Sequence, residues 1–145
     1  LLTTQQDHVE IVNAICQEFS DLPSDCALIL MGHGTSHYAN DVYAALDYRF
    51  KDLGHDNIHL ATVEGYPTLE NVIRLVKEQG AKKVILTPFM IVAGDHARND
   101  MSGEDEDSWK NQFQAAGYEV ECCLKGLGEY PAVQNMLIRH VTEVC

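Results

Sequence analysis

Apolar and polar positions along this chain switch repeatedly between two periods. Over residues 4–19, Val9, Val12, Cys16 and Phe19 recur at helical spacing, with Thr4 or Asp7 available as caps. A loop, Leu22-Pro23-Ser24-Asp25, leads into Ala27-Leu28-Ile29-Leu30-Met31. Such a continuous apolar run marks a strand buried on both faces. It stops abruptly at Gly32-His33-Gly34-Thr35-Ser36. Tyr38, Val42, Ala45, Leu46 and Phe50 then predict an amphipathic helix over about 37–53, ended by Gly54.

The same unit repeats. Ile58 to Val63 reads as a strand, Glu64-Gly65-Tyr66 as a turn, and Pro67 as the first helical residue, with Leu69, Val72, Ile73 and Val76 as the buried stripe before Gly80. Lys83 to Thr87 is a third strand, followed by a long polar segment from Pro88 to Glu106. Ser102-Gly103-Glu104-Asp105 resembles a helix start leading into Trp109, Phe113 and Ala116. Tyr118 to Cys123 is a fourth strand, and Gly126, Gly128 and Pro131 open a last helix carrying Val133, Met136, Leu137 and Val141. The charge run Glu104 to Asp107 reads as the solvated first turn of its helix. Alternating strands and helices at this length predict a three-layer α/β domain with a parallel sheet and right-handed crossovers. The expected strand order is 2-1-3-4, a flavodoxin-like arrangement with its switch point between strands 1 and 3.

Composition narrows the function classes. The chain has 145 residues, 46% hydrophobic and 22% charged, as for one soluble domain with a real core. Its net charge of −12 lacks the basic footprint of a nucleic-acid binder and is repelled by anionic lipid. Apolar runs such as Phe89 to Ala93 fall far short of the roughly 20 residues of a spanning helix. The five cysteines, Cys16, Cys26, Cys122, Cys123 and Cys145, are odd in number and form no CxxC, so reduced thiols in a cytoplasm are expected. Leu1 to Asp7 has no basic start or long apolar stretch, so no secretory signal is expected. The missing initiator methionine suggests a fragment or a processed chain.

The candidate chemistry lies at the strand exits. His33 follows strand 1, Glu64 follows strand 2, and His96 lies in the loop after strand 3, about thirty residues apart. In a parallel sheet all strand carboxyl ends share one edge, where ligands bind, so these three residues converge. Two imidazoles and a carboxylate suit a borderline divalent metal such as cobalt, nickel, iron or zinc. Neutral imidazole is also the best side-chain proton acceptor near pH 7. Gly32, Gly34, Ala93 and Gly94 would let a large flat ligand approach the backbone. The plain alternatives are a tight turn around His33 and a helix-capping role for Glu64.

Other motifs carry less. His33 and His37 straddle a loop-to-helix junction, which makes a helical zinc pair weak. His55 and His59 are expected to be exposed at the opposite edge, and His8 and His140 sit on terminal helices. The Gly32–Ser36 loop could cradle a phosphate at a helix N-terminus but matches neither the Walker pattern nor GxGxxG. Ser36 lacks the flanks of a nucleophile elbow.

Three segments together resemble the class II chelatases: Leu30-Met31-Gly32-His33-Gly34-Thr35, Thr62-Val63-Glu64-Gly65-Tyr66-Pro67, and Thr87-Pro88-Phe89-Met90 through Gly94-Asp95-His96-Ala97-Arg98-Asn99-Asp100-Met101. The match is to the C-terminal lobe of the anaerobic sirohydrochlorin cobaltochelatase type, over nearly all of residues 25–145. The resemblance implies ATP-independent insertion of Co²⁺, the substrate metal, into a sirohydrochlorin-type tetrapyrrole in cobalamin synthesis, without an organic cofactor. It implies that His33, Glu64 and His96 bind the metal and that His33 accepts pyrrole protons. Members of this type have two similar lobes with the macrocycle between them. Residues 1–24 are then the connecting helix and residues 25–145 one lobe. The other lobe is expected on another chain or fragment, or as a second copy of this chain. Siblings acting on nickel or iron, and a metal or tetrapyrrole carrier without turnover, are the competing expectations.

Overall fold

The computed structural model describes Leu2, residues 4–90, Gly94, Asp95 and residues 97–144. Among the described residues five α-helices and four strands alternate: α1 (Gln5–Glu18), β1 (Cys26–Gly32), α2 (Asp41–Asp52), β2 (Ile58–Thr62), α3 (Leu69–Gln79), β3 (Lys83–Pro88), α4 (Trp109–Ala115), β4 (Glu119–Cys122) and α5 (Pro131–Val144). The strands form one parallel sheet in the order β2-β1-β3-β4, as the alternation predicts.

All seven residues of β1 are buried, because helices cover both faces of the central strands. Leu28 and Leu30 pack with Ile11, Val12, Ile15, Leu46, Phe50, Val133 and Met136 from α1, α2 and α5. Ala27, Ile29 and Met31 face the other way, against Val72, Val76, Trp109 and Phe113 of α3 and α4. Period-2 alternation on a doubly covered strand thus divides the core into two halves. Among the described residues no helix is long and apolar enough to cross a membrane.

Both margins of the sheet are guarded, in different ways. On β2, the Leu60 N–H donates to Asp47 Oδ1 at 2.9 Å, and Lys51 Nζ donates to the Ile58 carbonyl at 2.6 Å. The Thr62 N–H donates to the Pro67 carbonyl at 2.8 Å. Backbone groups that would otherwise template another strand are therefore occupied by α2 and by the chain's own loop. At the far margin β4 is only four residues long and exposes Glu119 and Glu121, the latter paired with Lys83 at 2.8 Å.

Several sequence expectations need correction. Pro67 is not the first helical residue: α3 starts after Thr68, whose hydroxyl accepts from the Asn71 N–H in a capping box. Nor does a helix start at Ser102 and run to Ala116. α4 begins after Ser108, where burial of Trp109 and Phe113 fixes the start. Consequently Glu104 to Asp107 form a turn before that helix, held by Asn111 Nδ2 donating to the Glu104 and Asp105 carbonyls. In α1 the buried face is Ile11, Val12, Ala14 and Ile15, while Val9 is exposed. Tyr38, in a 3-10 turn before α2, and Ala45 face solvent, as do Leu137 and Val141 on α5.

His59 is the largest departure. It is 2% exposed rather than at the surface. Its Nδ1 lies 3.2 Å from Lys51 Nζ and its Nε2 2.9 Å from Gln79 Oε1. An ammonium can only donate and a carbonyl oxygen only accept, so the ring is neutral with its proton on Nε2. Burial first, and the Lys51 charge second, hold its pKa below the ordinary histidine value.

Candidate functional site

The site grows out of the way β1 and β2 end. Their ladder continues past the last paired residues: the Val63 N–H donates to the Gly32 carbonyl at 3.0 Å and the Glu64 N–H to the His33 carbonyl at 2.9 Å. Two residues 31 positions apart in sequence (64 − 33) are thereby held side by side. His33 Nδ1 stands 3.7 Å from Glu64 Oε2, with the side chains 47% and 61% exposed. The strand-exit logic therefore brings these two predicted residues together at the sheet's carboxyl edge.

Close packing of small residues makes this approach possible. Gly34 has φ +79, a conformation suited to glycine, and a Cβ there would lie 2.6 Å from the Gly65 nitrogen and 2.7 Å from Thr62 Cβ. A Cβ on Gly32 would fall 2.4 Å from the Tyr43 ring. Thr62 folds the second loop: its hydroxyl accepts from the Gly65 N–H at 2.9 Å and donates to the Pro67 carbonyl at 3.1 Å. Its place as the last strand residue before Glu-Gly was a readable turn signal that the strand pattern hid.

His33 Nδ1 also lies 3.1 Å from the Gly34 carbonyl. A proton on Nδ1 satisfies that carbonyl and leaves the lone pair on Nε2, the form that ligates a metal or accepts a proton. Glu64 beside it supplies an anionic oxygen donor. Open side chains on a rigid backbone suit an ion that must be bound and then released, rather than one locked in a closed cage.

The third predicted residue, His96, lies outside the described residues. Among those described, no cluster of three or more His, Cys, Asp or Glu could hold a metal ion. His37 is occupied otherwise: its Nδ1 accepts from the Ala39 N–H at 3.1 Å and its ring lies 4.1 Å from that of Tyr38. Cys16, Cys26, Cys122 and Cys123 are free thiols. Burial raises the pKa of Cys16, Cys26 and Cys122, which keeps them poor nucleophiles.

The surroundings offer room and flat surface. Tyr38 and Tyr66 are 79% and 61% exposed in the loops beside His33 and Glu64. An open cleft of about 460 Å³ runs between the start of α3 and α4, lined by Val63, Glu70, Asp100, Asp107 and Trp109 among others. A second groove of about 420 Å³ lies between α1 and α5, and the Arg139 that borders it is already paired with Asp7 and Glu10.

Comparison with known proteins gives a consistent result. The chain matches the model of the cobalt chelatase (CbiK) family over residues 2–145. It is 39% identical over 141 residues to the sirohydrochlorin cobaltochelatase of Salmonella typhimurium, covering 97% of this chain and 53% of that protein. It is 35% identical over 118 residues to the sirohydrochlorin cobaltochelatase CbiKC of Nitratidesulfovibrio vulgaris, covering 81% of this chain and 42% of the relative. A sirohydrochlorin cobaltochelatase of Methanococcus maripaludis is 32% identical over 90 residues, 55% of this chain and 62% of the relative. The chain spans about half the length of the first two relatives.

Proposed function

The chain belongs to the cobalt chelatase (CbiK) family, and on that premise we propose that it acts in ATP-independent insertion of Co²⁺ into sirohydrochlorin, as in anaerobic cobalamin synthesis. The observation that carries this reading is the 3.7 Å approach of His33 to Glu64 at the carboxyl edge of a parallel sheet. His33, Glu64 and His96 are assigned as the metal ligands. His33 is assigned the further role of proton acceptor.

The chemistry asks for these groups. Two pyrrole N–H bonds break as the two nitrogens take up the metal, so two protons must leave and the metal charge must be met by donors that let go. A neutral imidazole accepts a proton near pH 7. A half-exposed imidazole and carboxylate hold Co²⁺ while leaving coordination positions for macrocycle nitrogens. Exposed Tyr38 and Tyr66 offer ring faces to a flat tetrapyrrole. Insertion involves no net redox change and no group transfer, so no organic cofactor is required.

These residues furnish one wall of a cleft. The opposite wall is assigned to a second lobe, supplied by further chain, another fragment or a second copy. Residues 1–24 are read as the connection to it and residues 25–145 as the lobe itself. The reaction is placed in the cytoplasm, in keeping with free thiols.

The test is anaerobic absorbance spectroscopy of sirohydrochlorin with Co²⁺, Ni²⁺ or Fe²⁺, alongside Co²⁺ titration of the chain alone. Expected results are metal insertion fastest with Co²⁺ and a Co²⁺ site weakened at least tenfold in His33→Ala. Macrocycle binding without insertion, even with the second lobe supplied, would make the protein a carrier. A Co²⁺ affinity indifferent to His33 and Glu64 would remove the metal assignment.

A further inference from the structure

We propose that Asn40 is a positioning residue that sets the spacing of His33 and Glu64 by tying together the two loops that carry them. The inference rests on reading those two side chains as metal ligands.

Asn40 stands at the cap position preceding α2, yet its side chain makes no capping hydrogen bond. An asparagine there ordinarily accepts from the first-turn N–H groups. Its amide is used elsewhere. Oδ1 accepts from the Thr35 N–H at 3.0 Å, in the loop after β1, and Nδ2 donates to the Tyr66 carbonyl at 2.7 Å, in the loop after β2. The side chain thus reaches 5 residues back to Thr35 and 26 forward to Tyr66, and Asn40 is 8% exposed. An N–H must meet an acceptor and a carbonyl must meet a donor, so only one orientation of the amide satisfies both loops.

The two anchored residues bracket the site. Thr35 lies two positions after His33, and Tyr66 two after Glu64. Gly65 completes the fit: a Cβ on it would come within 2.1 Å of Asn40 Oδ1, so the second loop is pressed directly onto the amide. The main-chain bonds from Val63 and Glu64 to Gly32 and His33 align the loops on one side. Asn40 closes them on the other. With both in place, the backbones beneath His33 and Glu64 have little freedom to separate, and the order needed for two-ligand binding exists before the ion arrives.

No near relative of this side chain does the same work. Aspartate keeps the acceptor for Thr35 but has no donor for the Tyr66 carbonyl. Glutamine carries one methylene too many for a gap already filled by Gly65. Alanine takes away both hydrogen-bond partners, from the Thr35 N–H and from the Tyr66 carbonyl, and unties the loops.

Asn40→Asp separates positioning from simple electrostatics, because an added negative charge near a cation site favours the cation. Co²⁺ titration of the chain, read by absorbance of the bound ion and by calorimetry, should show binding about five- to tenfold weaker in Asn40→Asp and Asn40→Ala. The d–d band of bound Co²⁺ should change shape, because ligand geometry has altered. Unchanged or tighter binding with an unchanged band in Asn40→Asp, while His33→Ala still destroys the site, would overturn the positioning role and leave the metal assignment standing. If His33→Ala leaves Co²⁺ binding intact, the metal assignment fails and takes this inference with it. Should the Asn40 variants not fold, amide exchange in the unmodified chain decides. The Thr35 N–H and the Asn40 side-chain amide should exchange slowly, and more slowly with Co²⁺; fast exchange at both overturns the proposal.

Discussion

Gly34 and Gly80 form a matched pair for measuring what the close approach of the two site loops costs and does. Both have φ +79. Gly80 ends α3 in the left-handed conformation, and a Cβ there meets nothing within 4 Å. Alanine at Gly80 therefore carries only the backbone penalty, about 1 kcal/mol. At Gly34 the same penalty applies, but the new methyl also falls 2.6 Å from the Gly65 nitrogen and 2.7 Å from Thr62 Cβ. Neither atom lies at the end of a flexible side chain, so the loops must part, at a further cost of about 2 kcal/mol. Gly34→Ala should lose about 3 kcal/mol in all, shown by urea unfolding at unchanged slope. The functional contrast is sharper. Gly34→Ala pushes apart the loops bearing His33 and Glu64 and should weaken Co²⁺ binding, whereas Gly80, at the far end of α3, should leave it unchanged. Equal stability losses, or Co²⁺ affinity untouched by Gly34→Ala, would refute the view that the loops are held in contact at these glycines.

Two further outcomes are expected. His59 is held neutral in the fold by burial and then by Lys51, while the unfolded chain protonates it near pH 6.5. Stability should be complete above that pH and fall as the pH drops toward the lower folded value, by up to about 1.4 kcal/mol per pH unit. Urea unfolding between pH 5 and 8 (roughly the range of histidine titration) should show this limb flattened in His59→Gln; an identical slope in both proteins refutes it. Asp47→Ala strips the Leu60 N–H of its acceptor and should destabilise by about 2 kcal/mol, with self-association visible by gel filtration. Asp47→Asn, which retains the acceptor, should recover most of the loss; an alanine variant as stable and monodisperse as the parent counts against the margin's role.

What could be read in the sequence followed from burial that repeats along the chain. β1 announced itself because both of its faces are covered, leaving no polar position in Ala27 to Met31. Alternation with helices then led to the order β2-β1-β3-β4 and to the shared edge where His33 and Glu64 meet. Features set by a distant partner were hidden. The burial of His59 on β2 was hidden because its partners, Lys51 and Gln79, reach it from α2 and α3. The start of α4 depends on where Trp109 and Phe113 find the core, not on the acidic residues before them. Tyr38, Leu137 and Val141 fit an apolar stripe by spacing but turn to solvent. Asn40 was hidden because the spacing puts it inside the helix expected over about 37–53, whereas α2 starts only at Asp41.

The guarded sheet margins bear on how this lobe can be combined with anything else. With Asp47 and Lys51 seated on β2, that side offers little backbone for lateral growth, and on the other side the short β4 sets the exposed carboxylates of Glu119 and Glu121 against it. Both margins thus disfavour a fifth strand and favour a neighbour that stacks as a separate body, against helical faces or over the rim where the strands end. The lobe is thus a building unit whose sheet is not built for extension at its sides. It can be paired or repeated without its hydrogen-bond ladder being rewritten, and without shifting the two loops that hold His33 beside Glu64.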